Sequence, residues 1–375
     1  MRRRKPLKEW RQSISMSKSH YIIPIFVPHE GCPHDCVFCN QDSITGQEKP
    51  VDEAYVRETI EAYLKTILME NSVIEVSFFG GTFTAISLDK QKELLEVARE
   101  YKEKGLVNFI HLSTRPDYID EPILKNLKDY SVDVIELGIQ SMDEEVLLKS
   151  GRGHTARQAA DASRLIKEYG FILGHQIMLG LPGDNFKKDI NTAEQVIRLR
   201  PDICRIYPAL TIKDTVMERL YNQGEYIPYT LKEAVEISKT IYCMLVSEGI
   251  NVIRIGLQPT EEINEGGDIV AGPFHPAFRE LVEGSLYSDM IRESLTGKDA
   301  DNITIRINDK DMSKLYANRK EFFNEMKERL NIKRTKVAAD NDLIRGELVL
   351  ETTGSRAMLS LKDYMVEKYI LNSKR

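Results

Sequence analysis

From residue 21 onward the chain alternates short β-rich runs with longer stretches of helical periodicity. Tyr21–Val27, Val73–Phe79, Val107–Ser113, Asp133–Gly138, Phe171–Met178 and Ile203–Tyr207 read as strands. Val51–Met69, Ser87–Lys104, Glu121–Asp129, Thr155–Tyr169 and Asn185–Leu199 read as the helices between them. Ser87 and Thr155 are the expected N-caps, and Asp52 stands near the start of the first helix. A long helix, Leu231–Gly249, and a further strand, Asn251–Ile255, follow. Strand–helix alternation at this spacing argues a parallel sheet. The expectation is an α/β fold, a partial TIM-type (β/α)6 barrel with a small C-terminal α+β domain. In barrels, function gathers on the loops after the strands.

The pattern changes near Leu257, where Gly266-Gly267 and Gly272-Pro273 interrupt it. A short helix, Pro276–Glu283, comes next. Then the chain reads strand (Ile303–Asn308), helix (Asp311–Leu330), strands (Arg334–Ala338 and Glu347–Glu351) and a last helix near Leu361–Ile370. The expected division is a basic arm over 1–20, a barrel over 21–256, a connecting segment over the barrel mouth at 257–298, and the small domain over 299–375.

Charge adds to this picture. The net charge of −6 conceals basic ends: residues 1–20 carry +6 and residues 301–375 carry +4, leaving −16 for the body between them. Two basic ends on an acidic body suit a polyanion such as RNA; a solvated tail and a mixed-charge surface give the same count. Met16 is a second possible start, which would omit the Arg2-Arg3-Arg4-Lys5 run. No apolar run is long enough for a membrane span, and the N-terminus has no apolar stretch of the secretory kind. Cysteine use fits a reducing cytoplasm, with Cys204 and Cys243 expected to be buried structural residues.

Three of the five cysteines fall in Gly31-Cys32-Pro33-His34-Asp35-Cys36-Val37-Phe38-Cys39-Asn40. Thiols this close make a poor disulfide set and a good metal set. A zinc site completed by His29 or His34 is one outcome. An iron–sulfur cluster held by Cys32, Cys36 and Cys39 is the other, and it leaves one metal corner open for catalysis. The Cys-x-x-x-Cys-x-x-Cys spacing resembles the signature of the radical S-adenosylmethionine (radical SAM) enzymes. In that family the open iron of a 4Fe-4S cluster is chelated by S-adenosyl-L-methionine.

Further motifs follow in order on the loops. They are Gly80-Gly81-Thr82, Ser113-Thr114-Arg115-Pro116-Asp117-Tyr118, Glu136-Leu137-Gly138-Ile139-Gln140-Ser141, Arg152-Gly153-His154-Thr155, Gly180-Leu181-Pro182-Gly183 and Arg205-Ile206-Tyr207-Pro208. Together they resemble the radical SAM domain of the catalytic subunit of Elongator, which modifies wobble uridines of transfer RNA. The resemblance covers roughly residues 20–260. Oxygen-independent coproporphyrinogen oxidase is a more distant likeness.

The resemblance implies site residues one by one. Gly80, Gly81 and Thr82 match the glycine motif that binds the methionine amino group, and glycine leaves backbone amides open to a ligand. Gln140 and Arg152 become contacts to the ribose and carboxylate of S-adenosylmethionine, since an amide both donates and accepts and a guanidinium forks onto a carboxylate. Gln176 is a further ribose candidate, and Phe38 is placed near the adenine. Tyr207 and His275 are the substrate-side candidates, with Lys213 and Arg279 as further polar groups that could face the barrel mouth. His154 is expected to hold its turn.

Three departures from the Elongator pattern are visible. The cysteine loop is shorter, Ser113 stands where related sequences often carry a glutamate, and nothing after residue 260 reads as an acetyl-CoA site. The expected protein is a radical SAM enzyme served by an external one-electron reductant of flavodoxin or ferredoxin type, with a tRNA as substrate. A small-molecule substrate, as in coproporphyrinogen oxidase, and a non-catalytic metal-stabilised RNA-binding module are the alternatives.

Overall fold

The computed structural model describes residues 19–27, 36–40, 51–68, 70, 72–260, 263–264, 266–298 and 300–373. The basic arm and Cys32 therefore lie outside the described residues, apart from positions 19 and 20. The chain divides into two compact units. The first holds Met1–Pro228 and Pro259–Gly272, and the second Tyr229–Gln258 and Pro273–Arg375.

In the first unit β1 (Ser19–Val27), β2 (Ser72–Gly80), β3 (Phe109–Thr114), β4 (Val134–Gln140), β5 (Ile172–Leu179) and β6 (Ile203–Pro208) lie side by side in chain order. Every pairing among them is parallel. Between them run α1 (Glu53–Leu64), α2 (Leu88–Glu103), α3 (Glu121–Asp129), the short α4 (Glu144–Lys149), α5 (Ala156–Glu168) and α6 (Phe186–Leu199). Strand order that never reverses keeps right-handed crossover helices on one face of the sheet. A doubly wound sheet instead reverses at a switch point. The fold is the partial TIM-type barrel expected from the alternation.

The helix starts follow local chemistry. Asp52, Ser87, Thr155 and Asn185 each accept a hydrogen bond from a first-turn amide, and Thr155 forms a reciprocal capping box with Gln158. The strands then sort by the two-residue period. One row is apolar and buried: Ile23, Ile25, Ile74, Val76, Phe78, Ile110, Leu112, Ile135, Leu137, Leu173, Ile177 and Ile206. This row faces the helices, because His175, which belongs to it, lies 2.8 Å from Ser163 Oγ on α5. The other row lines the inside of the barrel and carries Glu75, Ser77, Phe79, His111, Glu136, Gln176, Arg205 and Tyr207.

After β6 a two-residue strand, β7 (Thr211–Ile212), leads into α7 (Val216–Asn222). The second unit contains α8 (Leu231–Ser247) and β8 (Asn251–Ile255). The first unit regains the chain for β9 (Ile269–Ala271), which pairs antiparallel with β7. The second unit then continues with α9 (Phe278–Leu295), which runs three turns past the expected helix end at Glu283. The α8 helix packs on α9 and on the last helix, α12 (Leu361–Ser373). The boundaries expected at 256 and 298 both fall within the span of this unit.

Its sheet has the order β11 (Arg334–Ala339), β10 (Asn302–Ile307), β12 (Glu347–Glu351), β13 (Arg356–Ser360). The single helix expected over Asp311–Leu330 is broken into α10 (Met312–Leu315) and α11 (Glu321–Arg329). Asn318, Arg319 and Lys320 between them are all left-handed. Two tertiary contacts fix α10. The buried Asp311 carboxylate accepts from Gly346 N–H at 2.7 Å and lies 2.9 Å from Lys314 Nζ. Gly284 of α9 lies so close to α10 that an added Cβ would run into Lys314 O. No helix among the described residues is long and apolar enough to cross a membrane.

Candidate functional site

The described part of the cysteine loop is pinned on both sides. Val37 N–H donates to Ser150 O at 3.0 Å, and Met217 N–H donates to Val37 O at 2.8 Å. Cys39 N–H closes a turn onto Cys36 O at 2.9 Å, and Asn40 Nδ2 donates to Lys213 O at 2.9 Å. Phe38 packs against the apolar cluster of Val37, Val146, Leu181, Ala209, Met217 and Tyr226. Its described contacts are thus those of a core residue. Cys36 is buried and Cys39 half-buried.

Two guanidinium groups converge on Cys36. Arg152, on the turn after α4, brings Nη1 within 3.3 Å of the Cys36 sulfur. Its Nη2 donates to Gly138 O at the end of β4. Arg115, after β3, brings Nη1 within 3.8 Å of the same sulfur. Arg115 Nη2 donates to the Arg152 carbonyl, and its Nε and Nη2 fork onto Asp117 at 3.0 Å each. Burial pulls Arg152 below the ordinary arginine value, the Cys36 sulfur works against that shift, and Arg115 adds to it. His154, two residues on, is held down at about 3 by burial first and then by the charges of Arg152 and Arg115.

The end of β4 gathers the next part of the site. Gln140 has φ +62°, left-handed backbone at a bulge in the β4–β5 register. Gln176 Nε2 donates to Gln140 Oε1 at 3.3 Å. A Cβ on Gly138 would stand 3.0 Å from Gln140 Nε2 and 3.5 Å from Arg152 Nη2. Cys36, Arg152, Gly138, Gln140 and Gln176 are therefore linked in one chain of contacts. At the end of β2, Gly80 has φ +101°, and a Cβ there would stand 2.6 Å from Val27 O. Gly81 N–H donates to that same carbonyl at 3.0 Å, so this amide is engaged by backbone rather than left open to a ligand. Thr82 is buried, and its carbonyl accepts from Ala85 N–H at 2.9 Å.

The substrate-side candidates fall in both units. Tyr207 OH lies 3.3 Å from Arg205 Nη1 on the inner face of the first unit. His275 belongs to the second unit, where its Nδ1 accepts from Ala277 N–H at 3.1 Å. Arg279, also in the second unit, bonds Glu283 at 2.8 Å and Val252 O at 3.1 Å. Lys213 Nζ donates to Gly267 O at 2.7 Å. Cys204 and Cys243 are buried. Burial pushes the Cys243 thiol up to about 12, and Cys204 is raised by burial and then by Glu136.

Sequence reasoning gave no role to Arg115, Glu136 or Arg205, although all three sit inside the motifs it singled out. Nor did it single out Glu75 or His111. These residues form a buried ionic row across the barrel interior. His111 Nδ1 lies 2.8 Å from Glu75 Oε1, and His111 Nε2 lies 3.7 Å from Glu136 Oε2. Arg205 Nε donates to Glu136 Oε2 at 2.7 Å. Burial acts to raise the Glu75 carboxyl, but His111 and His20 outweigh it and hold the group well below the usual carboxylate range. Burial would lower Arg205, and the charge of Glu136 instead holds it above the ordinary arginine value.

A thiolate that ligates iron is negative. Two buried guanidinium groups around the Cys36 sulfur fit such a ligand, and the donor set (a thiol pair three residues apart in one turn) fits a soft metal.

Comparison with known proteins agrees with this chemistry. The chain matches the model of the radical SAM superfamily over residues 26–196 and that of the Radical_SAM C-terminal domain over residues 201–288. It is 27% identical over 256 residues to the tRNA uridine(34) acetyltransferase of Methanocaldococcus jannaschii, covering 58% of this chain and 47% of that protein. It is 27% identical over 263 residues to human Elongator complex protein 3, covering 58% and 48%. The chain spans about half the length of these curated relatives. Among solved structures, the archaeal Methanocaldococcus infernus Elp3 with residues 1–46 deleted superposes with a TM-score of 0.57 at 23% identity, covering 75% of this chain and 64% of that one. That likeness is one of fold.

Proposed function

The chain belongs to the radical SAM superfamily, and we propose that it is a radical SAM enzyme acting on RNA, with a transfer RNA as substrate. Enzymes of this family bind a 4Fe-4S cluster and S-adenosylmethionine. Cys32, Cys36 and Cys39 are the residues to hold the cluster here. When bound, these cofactors supply a 5′-deoxyadenosyl radical that takes a hydrogen atom from the substrate.

The chain's own residues position and protect that chemistry. The observation that carries the reading is Arg152, which reaches from the Cys36 sulfur to the β4 end where Gln140 and Gln176 meet. A guanidinium there suits a carboxylate, and paired amides suit ribose hydroxyls. Arg115, fixed by its fork onto Asp117, adds a second cation beside the cysteine. Burial of Cys36, Arg115 and Arg152 keeps bulk water from the sulfur. Gly80, Gly81 and Thr82 would act as a backbone wall, since Gly81 N–H is already taken by Val27 O.

RNA as substrate rests on the Methanocaldococcus jannaschii relative, which is named for uridine 34 of tRNA, and on the excess of positive charge at the two chain ends. An external one-electron reductant completes the system. The acidic body of the chain favours a second reading, a small-molecule substrate.

The test is anaerobic reconstitution with iron and sulfide, then dithionite, S-adenosylmethionine and unmodified tRNA. Wild type should form 5′-deoxyadenosine and a new modified nucleoside; Cys36→Ala should form neither. Binding of tRNA that weakens steeply with salt supports phosphate contacts by Lys and Arg. Formation of 5′-deoxyadenosine with no RNA binding at low salt would turn the assignment to a metabolite.

A further inference from the structure

Barrel interiors are usually filled with branched apolar side chains. Here the inner row carries Glu75, His111, Glu136 and Arg205, all at least nine-tenths buried. Burying ion pairs contributes little net stability, and apolar replacements of similar volume often do as well. The row therefore calls for a use, and its last member shows one.

Arg205 is held from three sides. Its Nε donates to Glu136 Oε2 at 2.7 Å. Its Nη1 lies 3.3 Å from Tyr207 OH. Its Cζ lies 5.5 Å from the centroid of Phe79, a cation over an aromatic face. The sheet register gives the direction of reach. Glu136 pairs with Gly174, and Gly174 with Ile203, so Glu136 stands at the level of Ile203, two residues before Arg205. Tyr207 stands two residues after it. The side chain thus runs from Glu136 toward the carboxyl end of β6, the end where barrel enzymes place their chemistry. Its remaining amino group, Nη2, makes no bond among the described residues.

From this geometry we infer that Arg205 is a specificity-determining residue that reads an acceptor oxygen on the substrate ring. The inference rests on the RNA reading above and names the feature of the base that is recognised. A guanidinium has donors and no acceptor. At the 4-position, uridine presents a carbonyl oxygen and cytidine an amino donor, the same contrast that distinguishes thymine from cytosine. Arg205 donates to the first and repels the second. Glu136, Tyr207 and Phe79 fix the group in advance, so little order is lost when the base arrives.

The test uses the reconstituted enzyme and anticodon stem-loop RNAs that differ at one position: uridine, cytidine, or pyrimidin-2-one, which lacks the 4-oxygen. Wild type should bind the uridine RNA roughly tenfold more tightly than either of the others. Arg205→Met should reduce that preference to about twofold or less. Because the ratio compares RNAs on one protein sample, partial unfolding does not imitate it. The double variant Arg205→Met with Glu136→Gln removes the stranded carboxylate and should give the same loss. Retention of the full preference by both variants overturns the inference. A wild type that binds all three RNAs equally overturns it and leaves RNA as the substrate. A wild type that binds none of them overturns both.

Discussion

The guanidinium of Arg152 and the sulfur of Cys36 lie 3.3 Å apart, although 116 residues separate them in the chain. The contact joins the cysteine loop to the end of β4, where Nη2 of the same arginine bonds Gly138 O. Charge alone would be supplied by lysine; the planar fork would not. Arg152→Lys should therefore reconstitute with iron at wild-type content yet bind S-adenosylmethionine roughly tenfold more weakly, the loss of one charge-assisted fork. Iron analysis and equilibrium dialysis read the two effects separately. Loss of iron with unchanged S-adenosylmethionine affinity would show that Arg152 serves the cysteine alone.

Gln140 holds a left-handed backbone at φ +62°. For a residue with a Cβ this conformation costs roughly 1–2 kcal/mol. Gln140→Gly relieves that strain while losing the bond from Gln176, worth about 1 kcal/mol. The two changes nearly cancel, so the melting temperature should stay within about 3 °C of wild type. Affinity for S-adenosylmethionine should fall severalfold in calorimetric titration. Gln140→Ala keeps the strain and loses the bond, and should melt lower than Gln140→Gly. The reverse order would rule out strain at this position.

Gly174 on β5 makes room for the ionic row. An added Cβ would stand 3.1 Å from Glu136 Cβ and Cγ and 3.1 Å from Ile203 Cγ1. Both residues are buried on adjacent strands and have little space to move. Gly174→Ala should destabilise the protein by about 1–3 kcal/mol, the usual cost of overpacking a core. Pushing Glu136 aside also strains its bond to Arg205. A urea midpoint equal to wild type would mean the strands separate freely there.

Features of this protein fixed by short local patterns were legible in its sequence. The capped helix starts at Asp52, Ser87 and Thr155 needed only a side-chain oxygen and the next turn. Gly80 was legible as a glycine in a motif after a strand, but the close approach of Val27 O that requires it was not. Gln140 and Arg152 were legible as members of spaced motifs. The ionic row was not. Glu75, His111 and Arg205 sit on three strands, and each alone reads as a polar residue on a solvated face. Only the register brings them together. The break at Asn318–Lys320 was hidden for the same reason: helical periodicity runs through it, and it is the packing of α10 on α9 and on Asp311 that fixes the interruption.

His175 shows how a buried polar group on the helix side of the sheet sets pH dependence. Ser163 Oγ donates to Ala159 O at 2.7 Å, so it accepts from His175 Nε2, 2.8 Å away. The imidazole is therefore neutral with its proton on Nε2, and Nδ1 is buried without a partner. A second proton would create an unpaired buried cation. Burial first, and then the charge of Lys167, hold the group down at about 3. In the unfolded chain the same imidazole takes up a proton near its ordinary value of about 6.5. Between those values the unfolded state binds more protons, so stability falls as pH falls. From pH 7 to pH 5.5 the loss is about 1 kcal/mol for His175, and His154, also held at about 3, adds a similar amount. Glu75 does not enter this window, because its ionised form is lost only below the ordinary carboxylate range. His175→Gln keeps a donor for Ser163 and has no proton to gain. Every other group titrates alike in the two proteins, so their difference isolates this one. The urea-unfolding free energy of His175→Gln should fall by about 1 kcal/mol less than that of wild type between pH 7 and pH 5.5. Equal losses would mean that His175 is reached by protons in the folded protein.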